Sequence, residues 1–265
     1  MTGTVARPRL WPAITVWVLV WAICGLLAPV VQDAIGLSAD VLALVMLAPA
    51  VAAVAVRITV RHRATGLWPA APAPAVLLST ACALLWVAVF TACYAGTGAD
   101  LDPSAVAVAG TPLPLLLLAQ AVGALGEEIG WRGTLQRLGE AIAPRWVSAV
   151  VLGALFGATH LGYWADGAGF LTGFTLAVTA MSVAAVLLAR GGFAQRMIPA
   201  TVIHLGANLV IAAGGELTDA WRLVAPMLAA TCVALLVDRF GARLFAVGVA
   251  DTPAVPGLAR PTREG

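Results

Sequence analysis

The stretch LPLLLLAQAVGALGEEIGWRGTLQR, residues 113–137, decides how this chain must be read. It runs apolar for long enough to cross a bilayer, yet it holds Glu127, Glu128 and Arg132 within the same run. A helix spanning the hydrocarbon needs about 20 mainly apolar residues, at about 1.5 Å rise each. A charged side chain near the bilayer centre costs about 2.5–3.5 kcal/mol on insertion scales, so such residues face a bundle interior and mark a functional site by default. Two adjacent carboxylates at that depth are an anomaly that the rest of the chain has to explain.

Composition agrees with a membrane reading. Hydrophobic residues make up 61% of the 265 and charged residues only 11%, against about a quarter charged in ordinary soluble domains. Mean hydropathy is +0.96. All 15 basic residues are arginine, in a chain rich in Ala, Val, Gly and Pro; that bias points to a GC-rich bacterial genome and a bacterial cell membrane. The net charge of +2 is too small to argue for nucleic-acid binding. Cys24, Cys82, Cys93 and Cys232 are scattered through apolar segments with no CxxC, and read as free thiols.

Working outward from 113–137, eight spans are predicted: 11–31, 39–56, 75–95, 113–137, 146–162, 169–189, 197–213 and 221–238. The breaks carry loop residues, such as Arg61-His62-Arg63, Pro72/Pro74 and the run from Asp100 to Pro103. Arg7/Arg9, Arg57/Arg61/Arg63, Arg137/Arg145, Arg190/Arg196 and Arg239/Arg243/Arg260/Arg263 fall on one side. The opposite loops hold Asp33, Asp40, Asp100, Asp102, Asp166, Glu216 and Asp219, with Arg222 their one base. The positive-inside rule then puts both termini in the cytoplasm, and an even number of spans follows. Trp11, Trp68, Trp146, Trp164 and Trp221 sit near span ends, where indoles favour the interface. The expected organisation is an all-α polytopic bundle with an intramembrane cavity: residues 1–10 a cytoplasmic tail, 11–250 the transmembrane helical domain, 251–265 a disordered tail.

Removing loop charges leaves Glu127, Glu128 and Arg132 in the fourth span, His160 in the fifth, and His204 with Asn208 in the seventh. By helical rise, Glu127 lies about 15 Å from the boundary at Arg137, and His160 about 20 Å from Val147. His204 and Asn208 lie about 10 and 17 Å from Met197, on the same side. Three helices thus bring polar residues into one central slab. Glu128 and Arg132 are i, i+4 and can pair, while Glu127 points about 100° away from that pair. Gly123, Gly126, Gly130 and Gly133 let neighbours approach the fourth helix closely, and Pro199 can kink the seventh. Trp131 reads as packing, and Asp238-Arg239 as a span terminus with no further role.

These residue types suit peptide hydrolysis. A buried carboxylate can act as general base on water with help from an imidazole. An Asn amide or a protonated His can donate to the oxyanion of the tetrahedral intermediate. Two His and a Glu can instead hold Zn²⁺ with one position open for water, the candidates being Glu127, His160 and His204. No HExxH occurs, and no Ser or Cys stands beside a His as a nucleophile would. Zn²⁺ and metal-free mechanisms both stay open.

The run Gly126-Glu127-Glu128-Ile129-Gly130-Trp131-Arg132-Gly133 resembles the EExxxR motif of the CAAX-processing and bacteriocin-processing (CPBP) intramembrane protease family. Phe156 to His160 is similar to that family's FxxxH, and His204 to Asn208 to its HxxxN. The resemblance covers roughly 113–213. It implies an eight-helix fold with an embedded cavity and endoproteolysis of a membrane-associated peptide, prenylated or bacteriocin-like. It further implies that Glu127 activates water with His160, that His204 and Asn208 support the oxyanion or position water, and that Glu128 and Arg132 orient the site. Two rival readings remain: a non-catalytic immunity or scaffold protein of the same fold, and a proton-coupled transporter. The latter favours inverted repeats, and none is evident.

Overall fold

The computed structural model describes residues 10–59 and 69–249, with side chains as far as Gly241. Arg7, Arg9, Arg61, His62, Arg63, Trp68, Arg260 and Arg263, the side chain of Arg243, and the tail 251–265 lie outside the described residues. No strand occurs among the described residues. That accords with hydrocarbon surroundings, where a helix satisfies its own backbone groups internally.

The chain forms α1 (Leu10–Ile35), α2 (Ala48–Thr59), α3 (Ala73–Ala95), α4 (Leu113–Gly139), α5 (Arg145–Ala158), α6 (Ala168–Leu188), α7 (Phe193–Ala213) and α8 (Trp221–Val249). Six are long and apolar enough to cross a membrane; α2 with its leading 3₁₀ turn, Leu44–Thr59, and α5 are shorter apolar helices. The protein is a multi-pass helical bundle, as expected. Prolines set several starts, with Pro72 and Pro112 preceding α3 and α4. The last helix runs well past the expected end at residue 238, to Val249.

The expected second span, 39–56, is helical only in its later half. Its first part is a non-helical approach and a 3₁₀ turn, Leu44–Leu47. Two glutamines supply the missing backbone partners. Buried Gln32 of α1 donates to the carbonyls of Leu37 and Leu42 and accepts from the amide of Leu44. Gln120 of α4 donates to the carbonyls of Asp40 and Val41. Irregular backbone is thereby satisfied by protein, the condition for having it at membrane depth.

Helix α6 is the most enclosed of the long spans and packs on α5 and α8. Gly153 and Gly157 of α5 meet it so closely that an added Cβ would lie 2.7 Å from Ser182 Cβ and from Thr175 Cα respectively. Helices α3, α6 and α8 are tied by a polar relay: Trp86 Nε1 donates to Thr231 Oγ1 (3.0 Å), which donates to the carbonyl of Ala180 (3.1 Å). At the Arg-rich end, Arg145 donates to the carbonyl of Val186 in the last turn of α6 and to that of Ala189 just beyond it, closing groups that a helix terminus leaves open. Asp238 is buried there and pairs with Arg190, so the residue read as a bare terminus joins α8 to the end of α6.

Candidate active site

Helix α4 carries the two carboxylates, and its glycines decide where they sit. Gly126 lies against the backbone of Met46, whose carbonyl oxygen would be 2.8 Å from an added Cβ; Gly130 is tighter still against Pro49. Directly after Glu128 the helix widens into a π turn over Ile129–Leu135, marked by the Gln136 amide reaching the Trp131 carbonyl five residues back. A single extra residue rotates the helix that follows by about 100° relative to a regular register. Gly130, Trp131, Arg132, Gly133, Leu135 and Gln136 are all buried as a result. Trp131 packs edge-on to Trp17 (5.1 Å between centroids) and Trp21 (6.0 Å), pinning α1 to the turn.

Within this frame Glu128 is fully buried. Its Oε1 accepts from His204 Nδ1 at 2.8 Å and pairs with Arg132 at 3.1 Å. Glu127 Oε2 stands 3.4 Å from His204 Nε2. The separation expected between Glu127 and the Glu128–Arg132 pair is bridged by a histidine from another helix. The two side chains do leave the helix in different directions, but His204 of α7 lies between them and offers one ring nitrogen to each. Because Oε1 of Glu128 can only accept when ionised, Nδ1 of His204 carries a proton. Attraction across the Glu127–His204 contact then requires a second proton, held on Nε2 or on the facing carboxyl. With it, Glu127, Glu128, Arg132 and His204 together sum to zero charge, the state that burial in hydrocarbon favours.

His160 does not sit within a helix. Helix α5 ends at Ala158 and His160 has φ −77° and ψ 74°, so the depth reckoned from helical rise does not apply to it. Its Nδ1 donates to the carbonyl of Phe156 at 2.8 Å, which leaves Nε2 with the free lone pair in the neutral ring. Phe156 is the hub. Its ring lies edge-on to His160 (4.8 Å) and to His204 (5.7 Å), tilts against Trp131 (5.3 Å), and takes the Arg132 guanidinium over its face at 4.5 Å. Both imidazoles thus meet one aromatic ring, which brings α4, α5 and α7 together. Sequence reasoning gave Phe156 no role of its own; a buried aromatic four residues before a histidine was the signal for this one. Phe174 and Tyr163 complete the surroundings of His160.

Asn208 is half-buried one turn beyond His204 and makes no side-chain hydrogen bond among the described residues. It is on the expected helix, with its amide uncommitted. As for a metal, no group of three His, Cys, Asp or Glu side chains among the described residues is placed to hold one. Glu127, His160 and His204 do not form a ligand set in this arrangement: both nitrogens of His204 face carboxylates, and Nδ1 of His160 faces a carbonyl.

The arrangement presents a half-buried carboxylate, a second imidazole with a free nitrogen, and an uncommitted amide around a low-dielectric centre. Such groups can deprotonate water and stabilise an oxyanion. No curated protein matches the chain. Residues 109–210 match the family model described as type II CAAX prenyl endopeptidase Rce1-like. Glu127, Glu128, Arg132, His160, His204 and Asn208 all fall inside that match, so the site belongs to an Rce1-like segment.

Proposed function

We propose that this chain is an intramembrane endopeptidase that hydrolyses a peptide bond in a membrane-associated substrate, with Glu127 as general base. The observation that carries this is His204, held between two carboxylates within an Rce1-like segment. Glu128 and Arg132 have their charges committed inside the protein. Glu127 is more accessible, with 12% of its side chain exposed, and it is the carboxylate left to work.

In the mechanism, a water molecule beside Glu127 loses a proton to the carboxylate as its oxygen attacks the scissile carbonyl. Nε2 of His160 accepts a hydrogen bond from the same water and orients it. The negative oxygen of the tetrahedral intermediate is met by the Asn208 amide and by the protonated face of His204. The proton on Glu127 then passes to the leaving nitrogen, and the C–N bond breaks. Glu128 holds His204 in one tautomer and Arg132 balances Glu128.

The family description supports a prenylated CAAX protein as the substrate class; a bacteriocin-like peptide is the alternative implied by the motif resemblance. The Arg-rich ends of the helices are placed in the cytoplasm on the positive-inside rule. Purified protein in liposomes, given a farnesylated CAAX peptide, is expected to release the C-terminal fragment. Glu127→Ala is expected to lower the rate about 10²–10⁴-fold with an unchanged thermal midpoint, the range typical of general base removal. Full cleavage by that variant would remove Glu127 from the role. A folded wild-type protein that cleaves neither prenylated nor bacteriocin-like peptides favours the scaffold reading.

A further inference from the structure

Four arginines from successive elements converge at the Arg-rich end of the bundle. Arg137 lies near the end of α4, Arg145 opens α5, Arg190 follows α6 and Arg196 sits in the first turn of α7. Glu140 faces two of them, 3.9 Å from Arg137 and 3.6 Å from Arg145, and is within electrostatic reach of Arg196. Asp238 pairs with Arg190. The arginines also act on one another, Arg145 against Arg196 and Arg190, and Arg196 against Arg137 and Arg190. Four positive and two negative side chains sum to +2, and no other carboxylate occurs at this end among the described residues. Like charges this close repel, the more so at a low-dielectric boundary. Topology asks only for arginines in these loops, not for their convergence or for a fixed orientation. Here carbonyls hold them: Arg145 donates to Val186 and Ala189, and Arg196 Nε donates to Gly191 at 2.8 Å.

We propose that this cluster binds the head group of an anionic phospholipid, whose phosphate neutralises the excess charge. Guanidinium and phosphate match in charge and in planar fork geometry, and orientation fixed in advance lowers the entropy lost on binding. Basic pockets between helix ends at the membrane surface take acidic head groups for these reasons. The surroundings favour a lipid over a soluble anion. Ile142 is 69% exposed and Trp146, next to Arg145, is 60% exposed, with exposed Val150 one turn further along α5. An indole at that level suits the glycerol region, and an acyl chain can follow α5 into the hydrocarbon. A free phosphate or an acidic peptide answers the arginines but leaves this apolar strip uncovered. The bound head group braces the ends of α4 to α7. It reaches α4 through Gln136, which directly follows the π turn and donates Nε2 to Glu140 at 3.1 Å. The site stands whether or not the protein cleaves peptides.

The test is thermal unfolding of the full chain in non-ionic detergent, followed by tryptophan emission. Phosphatidylglycerol or phosphatidylcholine with the same acyl chains is added to the micelles. Phosphatidylglycerol at about 100 times its Kd is expected to raise the midpoint by about 5–10 °C over phosphatidylcholine. Arg137→Gln/Arg196→Gln brings the cluster to zero charge and is expected to remove most of that difference. Arg57→Gln/Arg239→Gln takes the same charge from exposed positions at the same end and is expected to keep it. Equal midpoints in the two lipids for the parent protein overturn the site, and that comparison needs no variant to fold. A difference that both double variants keep, or that both lose, reduces it to general attraction by a basic surface and overturns it too. Inorganic phosphate giving the full rise in phosphatidylcholine micelles would assign the cluster to a soluble anion. A poly-glutamate peptide doing so would assign it to an acidic protein. Either result overturns the lipid.

Discussion

Gly130→Ala tests whether close approach at α4 sets the site. An added Cβ would lie 2.2 Å from Pro49 Cβ and 2.6 Å from both Pro49 C and O. Ordinary contact begins at 3.4 Å, so the start of α2 must retreat from α4 by 3.4 − 2.2 = 1.2 Å. Most of the obstruction is backbone, which cannot swing aside as a side chain does. Overpacking of this kind costs about 1–3 kcal/mol or more. Replacing Gly by Ala within a helix returns at most about 1 kcal/mol, so the clash wins. Glu127 and Glu128 sit three and two residues before this glycine, and a misplacement of about 1 Å can lower a rate about 10²-fold. Thermal unfolding in detergent, followed by tryptophan emission, together with peptide cleavage, should show both losses. Gly169→Ala is the control: nothing lies within 4 Å of its added Cβ, and its midpoint is expected at or above that of the parent. A Gly130→Ala protein as stable and as active as the parent would refute the reasoning.

Glu128→Ala leaves Arg132 buried without its counter-charge and frees His204 Nδ1, which is expected to cost about 3–5 kcal/mol. The Glu128→Ala/Arg132→Ala double variant should lose clearly less than the sum of the two single losses, as a double-mutant cycle on thermal or denaturant unfolding will report. Phe156→Ala removes the ring shared by His160, His204, Trp131 and Arg132; a loss of about 3–5 kcal/mol in stability is expected, with cleavage falling further than in an equally destabilised variant remote from the site. Gln32→Leu strips the irregular approach to α2 of three hydrogen bonds. Hydrogen exchange of the Leu44 amide, which loses its acceptor, should rise in that variant, while exchange in α6 stays unchanged.

The composition determined the membrane fold, because no soluble packing can hide 61% hydrophobic residues in a chain this size. Hydropathy also placed the eight apolar segments, and the six polar residues stood out because each is costly at depth. Even the glycine stripe of α4 was legible as a place of close approach. What a linear pattern cannot carry is where a neighbouring helix stands around the axis, or where a helix changes its winding. The π turn after Glu128, the end of α5 at Ala158 and the half-helical second span each depend on contacts with residues distant in sequence. Asp238 looked like a terminus for the same reason, since Arg190 is 48 positions away. The tertiary structure alone decided that both carboxylates reach one histidine, that Phe156 sits between the two imidazoles, and that four arginines gather around Glu140 and Asp238. Sequence periodicity fixes depth and face on one helix; only packing fixes the distance between faces, and the chemistry depends on that distance.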